Sequence, residues 1–168
     1  LNEARDCMYF GRLKTTNPGA NQKMDYDLME YCEDGGLRKV LTIPGAGGLA
    51  RGRILNNKLF FNTRIENEWK SVAVDLTSSA LSVISDILFS EVIPWENGIM
   101  FLGKHPSATY DDLYLTDGSA GDIRRVPHDN PRWGACNRPS NLALLNGMAY
   151  FSNNGVYREW DPGKGVCV

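Results

Sequence analysis

The densest group of residues suited to chemistry in this 168-residue chain is Pro127-His128-Asp129-Asn130-Pro131-Arg132-Trp133-Gly134. A Trp held in a loop beside Arg, Asp and Asn can stack on a sugar ring and bond its hydroxyls. His128, Asp129, Arg132 and Trp133 are therefore the candidate ligand-binding residues. The same residues would also serve a proline-braced loop with Trp133 folded over a sheet edge. Trp69, Trp95 and Trp160 offer further aromatic platforms. A lectin with one sugar site per repeat would show the same polar partners beside each, and it does not, so packing roles are expected for these three.

Catalytic patterns are sparse. His105 and His128 are the chain's two histidines, both in proline-flanked loops. The G-x-S-x-G elbow of serine hydrolases does not occur. Gly45-Ala46-Gly47-Gly48 lacks the Lys-Ser/Thr that completes a phosphate-cradling loop, so it reads as a connection. Asp111, Asp112, Asp117 and Asp122 are rich in oxygen ligands but lack the glycine and terminal glutamate of an EF-hand loop. No catalytic residue, metal site or cofactor is assigned.

Cys7, Cys32, Cys136 and Cys167 contain no C-x-x-C pair, which argues against zinc. Four cysteines allow two disulfides in three connectivities, or free thiols. The net charge of −2 comes with scattered basic residues, so no nucleic-acid footprint is read. No apolar run approaches the roughly 20 residues of a membrane helix, so no membrane span is expected. The chain begins at Leu1 rather than Met, as a processed product or a fragment would.

The elements that must carry these residues repeat. Asp6-Cys7-Met8-Tyr9-Phe10, Asn57-Lys58-Leu59-Phe60-Phe61, Asn97-Gly98-Ile99-Met100-Phe101-Leu102 and Asn146-Gly147-Met148-Ala149-Tyr150-Phe151 each place a turn before an apolar triplet. Asn97-Gly98 and Asn146-Gly147 are strong two-residue hairpin signals. The triplets, beginning at Met8, Leu59, Met100 and Ala149, recur at intervals of 51, 41 and 49 residues. A polar loop and then a strand ending in a turn follow each, at Asp27 to Gly35, Lys70 to Leu76, Asp112 to Gly118 and Gly155 to Gly163. A third strand is predicted at Leu37 to Ile43, Leu81 to Ser85, Asp122 to Val126 and Gly165 to Val168. An innermost strand precedes each hairpin, at Leu1 to Ala4, Leu49 to Leu55, Ile87 to Trp95 and Asn141 to Leu145. Long loops are predicted at Leu13 to Tyr26, Lys104 to Asp111 and Pro127 to Ser140.

Four strands in up-and-down order make a propeller blade. The expected fold is all-β: a small β-propeller of four four-stranded antiparallel blades, over residues 1–46, 47–86, 87–127 and 140–168. The alternative is half of a larger or dimeric propeller. Asp112-Leu113-Tyr114-Leu115-Thr116-Asp117-Gly118-Ser119 with Ile123-Arg124-Arg125-Val126 resembles the blade motif of TolB-like and related extracellular bacterial propellers. Asp27 to Gly35 with Leu37-Arg38-Lys39-Val40-Leu41 is similar, whereas Ser78-Ser79 and Asp161-Pro162-Gly163 replace the Asp-Gly turn in the other repeats. The resemblance implies architecture rather than activity.

Two closures of the ring are open. Four blades could close on themselves, as in hemopexin-like domains, with Cys7 of the first blade latched to Cys167 of the last and Cys32 pairing with Cys136 or left free. A second copy or more chain could instead complete a larger ring. The functional expectation is a secreted or cell-surface ligand-binding module with carbohydrate as the fitting ligand class. A structural or assembly protein acting through protein–protein contacts, including a homo-oligomer, is the second expectation, and a carbohydrate-active enzyme the third.

Overall fold

A computed structural model describes residues 7–16, 23–45, 48–108, 111–126, 139–153, 156–161 and 166–167. Every regular element among them is a strand. The first sheet contains β1 (Cys7–Thr16), β2 (Lys23–Cys32) and β3 (Gly36–Ile43). The second contains β4 (Leu49–Leu55), β5 (Lys58–Ile65), β6 (Glu68–Asp75) and β7 (Leu81–Ser85). The third contains β8 (Leu88–Trp95), β9 (Gly98–Lys104), β10 (Asp112–Thr116) and β11 (Arg124–Arg125). The fourth contains β12 (Pro139–Leu145), β13 (Met148–Asn153), β14 (Val156–Asp161) and β15 (Val166–Cys167). Each sheet is an antiparallel meander in sequence order. The innermost strand expected at Leu1 to Ala4 lies outside the described residues.

The apolar triplets of the second and third sheets suit strands buried on both faces. Successive side chains on a strand point to opposite sides. On β5, Leu59 and Phe61 join Val72 and Val74 in a core shared with Leu28, Val40 and Ile43 of the first sheet. Between them, Phe60 turns the other way, to a core built with Ile87, Phe89, Ile99, Phe101 and Tyr114 of the third sheet. Met100 and Leu102 on β9 then face Ala149 and Phe151 of the fourth sheet. Aromatic contacts run through the central core: Phe60 to Phe89 edge-on at 6.5 Å, Phe89 to Phe101 edge-on at 4.6 Å, and Phe101 stacked on Tyr114 at 5.5 Å.

Three expectations are corrected. The hairpin of the third sheet turns at Glu96-Asn97, with Trp95 paired to Gly98, and not at Asn97-Gly98. Gly98 is needed for a close approach instead: a Cβ there would lie 2.0 Å from the Thr116 carbonyl oxygen. Glu96 takes the positive φ, at 47°. The Leu13 to Tyr26 loop is also shorter than read, because β1 and β2 extend as a ladder to Thr16 opposite Lys23. The alternation of Met24, Tyr26 and Leu28 with Lys23, Asp25 and Asp27 marks that extension of β2, and opposite charges such as Lys14 and Asp25 face each other across the ladder.

The third correction concerns the latch. Cys7 is disulfide-bonded to Cys32, not to Cys167. The register of β1 against β2 sets the two directly opposite each other, with Cα atoms 4.2 Å apart. Cys7 therefore staples the first sheet to itself. Cys136 lies outside the described residues, as does the side chain of Cys167.

Buried polar groups within the first sheet are paired. Asp27 accepts from the Thr42 hydroxyl at 2.7 Å and from the Arg12 guanidinium at 3.0 Å. Those bonds, Thr42 first, hold its carboxyl below the ordinary carboxylate value against the opposing effect of burial.

Two predictions follow from these contacts. Reduction should cost about 3 to 4 kcal/mol, as expected for releasing a loop of 25 residues. Peptide mapping should recover Cys7 joined to Cys32, and recovery of a Cys7–Cys167 peptide would contradict the register. A lowered Asp27 pKa stabilises the fold above the unfolded-state carboxylate value, and that contribution disappears as pH falls through the folded value. Asp27→Asn should therefore lower the melting temperature at neutral pH, by an amount corresponding to about 1 kcal/mol. The gap between variant and wild type should close on acidification, and a gap independent of pH would assign the loss to packing.

Candidate functional site

The second and third sheets meet along an apolar seam, and at one rim they leave a cleft of about 610 Å³. That rim is where β5 hands over to β6, β7 to β8, and β9 to β10. Each handover supplies side chains. The Glu66-Asn67 turn, with φ of 51° and 69°, projects Glu68, Trp69 and Lys70 from the start of β6. The β7–β8 connection adds Asp86, and the β9–β10 loop adds Lys104, His105, Pro106 and Asp111. Leu88, Phe89 and Ser90 of β8 form the floor.

The floor is fixed from the second sheet. The buried Asn62 amide donates to the Phe89 carbonyl at 2.8 Å and accepts the Phe89 N–H at 2.9 Å. This pairing holds one residue of β8 as a neighbouring strand would. It is available because β8 is the edge strand of its sheet, and Phe89, paired with Gly103 just before the bulge that ends at Glu91, turns its N–H and C=O outward. Arg51 adds a bond to the Ser90 carbonyl at 2.6 Å. Ser90 donates to the Leu102 carbonyl at 2.9 Å, with the Asp111 carboxylate 3.3 Å away.

Above the floor the walls are charged. Lys70 is 2.7 Å from Glu68. Its pKa is raised, first by that hydrogen bond and further by the charge of Asp86, while burial opposes the rise. His105 Nδ1 lies 2.7 Å from the Ser107 hydroxyl and accepts the Ser107 N–H at 3.2 Å. A neutral ring bonded this way carries its proton on Nε2. Trp69 is 45% exposed on the cleft wall. The cleft thus sets an open indole face among carboxylates and ammonium groups. Such an arrangement can hold a polyhydroxylated ring by stacking and paired hydrogen bonds.

The ligand residues expected from sequence, His128, Asp129, Arg132 and Trp133, lie outside the described residues. The strand before them, β11, is antiparallel to β10, with Arg124 beside Leu115 and Arg125 beside Tyr114. Trp95 is buried in the core with the fourth sheet, in keeping with a packing role. Trp69 is the residue that sequence reasoning set aside and the fold exposes. Its position just after a two-residue polar turn was the available signal, because the first residues of a strand reach beyond the inter-sheet core. Asp117 and Asp122 hold their own turn: Asp117 accepts from Ser119 N–H at 2.7 Å, and Asp122 from Asp117 N–H at 2.8 Å.

A second cavity, of about 410 Å³, lies between the first and second sheets at the other rim. Its buried Glu30 accepts from the Tyr9 hydroxyl at 2.5 Å and pairs with Arg38. Those partners are its own, so the cavity is braced rather than poised for a ligand.

No family model matches the chain, and no curated protein matches it. Among solved structures, it is similar to one described as the crystal structure of a puromycin hydrolase S511A mutant complexed with PGG. The TM-score is 0.55 and the sequence identity 16%, over 96% of this chain and 28% of that one. The chain thus spans about a quarter of the length of the protein it matches. Identity this low speaks for the fold alone. The successive three- and four-stranded meanders stacked face to face and this likeness together give the chain a β-propeller-like all-β fold.

Proposed function

We propose that the chain is an extracellular ligand-binding β-propeller array that takes a carbohydrate in the cleft between its second and third sheets. The observation that carries this reading is the exposed Trp69, set among Glu68, Asp86, Asp111, Lys70 and Lys104. Sugars present an apolar ring face beside a belt of hydroxyls, and an indole flanked by carboxylates and ammonium groups complements both. The Cys7–Cys32 disulfide supports an oxidising compartment, because disulfides persist outside the cytosol. Kinship with TolB-like propellers and membership of a larger or dimeric ring belong to this reading as well. Ligands of propellers sit where rigid blades hold inter-strand loops, which is the position of the cleft.

An assembly role is the second reading, favoured by an apolar face on the first sheet that no other sheet covers among the described residues. Its consequences are drawn below. A glycan array followed by calorimetry on the best ligand tests the first reading. Trp69→Ala should weaken binding at least tenfold, about 1.4 kcal/mol, at unchanged melting temperature. Trp69→Phe should retain part of the affinity. A blank array, or full affinity in Trp69→Ala, would remove the cleft from consideration.

A further inference from the structure

The three sheet interfaces follow one rule, and the rule identifies an unfilled fourth position. At each interface a sheet presents one face to its predecessor and the other to its successor. The predecessor-facing side chains of the triplet strands are Leu59 and Phe61 on β5, Ile99 and Phe101 on β9, and Ala149 and Phe151 on β13. All six are essentially buried. On β1 the same alternation makes Met8 and Phe10 predecessor-facing, since Tyr9 between them packs into the core with the second sheet. The register extends this face across the sheet, with Tyr31 opposite Met8, Leu37 opposite Tyr31, and Met29, opposite Phe10, buried at its centre. Met8, Phe10, Tyr31 and Leu37 are between 38% and 65% exposed.

The fourth sheet is the mirror case. Its successor-facing positions include Leu145, Met148 and Tyr150, with Leu145 paired to Met148. Tyr150 stands where the second and third sheets place Phe60 and Met100, both fully buried. Here Tyr150 and Met148 are half-buried and Leu145 is 59% exposed. Among the described residues, the array therefore carries at each end an apolar face that no other sheet covers, one of each kind that its internal interfaces join.

We propose that these two faces dock between copies of the chain: the fourth sheet of one copy packs on the first sheet of another. The occupant is argued from continuity with the interfaces already present, because the surface needed to cover Met8 and Phe10 is the kind that covers Leu59 and Phe61. The contact is head to tail, so two copies joined twice form a closed ring. An apolar face of this composition is otherwise a liability in water.

Light scattering on a size-exclusion column tests the docking. The expected mass is twice 18.7 kDa at micromolar concentration. Phe10→Lys and Tyr150→Asp should each halve it, while the Cys7–Cys32 bond and glycan binding at Trp69 stay unchanged. Mixing the two variants should restore the double mass, since one contact then sets Lys against Asp and the other keeps both native residues. Leu37→Lys, at the exposed outer strand, repeats the test should either variant misfold. A single-chain mass for the wild type, or a double mass indifferent to all three substitutions, would overturn the proposal.

Discussion

Everything in this chain depends on sheets pressing face to face. A single four-stranded meander has two faces and no means of burying either. Stacked between neighbours, β5 sends Leu59 and Phe61 one way and Phe60 the other, so one strand contributes to two cores. Burying a side chain of that size is worth about 1.5 to 3 kcal/mol. The same strand would be an exposed liability in isolation. Cooperativity between sheets is thus built into the residue pattern, and each sheet stabilises the next.

Apolar packing is not directional, so it leaves the offset between sheets undefined. Hydrogen bonds across the interfaces define it. Asn62 grips the backbone of Phe89, and Glu91 accepts from the Asn141 and Leu142 N–H groups at 3.0 and 2.7 Å. Both clamps seize backbone at a place where an inner strand bulges. The bulge withdraws the Asn141 and Leu142 amides from their ladder, and Phe89 lies on an edge strand; a backbone amide without a partner is costly, so the side chain of the preceding sheet has a demanding and specific target. A third bond, from Lys58 to the Asp117 carbonyl at 2.7 Å, pins the opposite rim of the same interface. There Gly118 lets its turn approach the Phe60 ring, where a Cβ would come within 2.8 Å.

The candidate cleft is a consequence of this stacking. The seam between the second and third sheets is filled by aromatic rings, and the strands outlast the seam. Beyond it, polar strand ends and connections diverge around a floor that Asn62 and Arg51 hold still. Rigid floor and charged walls come from different sheets, so neither exists without the interface. The buried Glu30 with Tyr9 and Arg38 fills the comparable role between the first and second sheets, with protein groups in place of a guest.

Most of the described strands and their order were legible in the sequence by itself. Triplets such as Leu59-Phe60-Phe61 declare a strand buried on both faces, and Asn56-Asn57 and Asn146-Gly147 mark hairpins through their tolerance of positive φ. Those signals are local, which is why they are legible without a fold. The tertiary structure decided what depends on register and on neighbours. Gly98 signals a turn locally, but the approach of Thr116 moves that turn to Glu96-Asn97. Cys7 could be matched with Cys167 by position in the chain, whereas the pairing of β1 with β2 delivers it to Cys32. Trp69 looked like any other core aromatic, and only the end of the inter-sheet seam leaves it in the open. Local propensity writes the elements, and the packing between sheets decides which side chains remain for function.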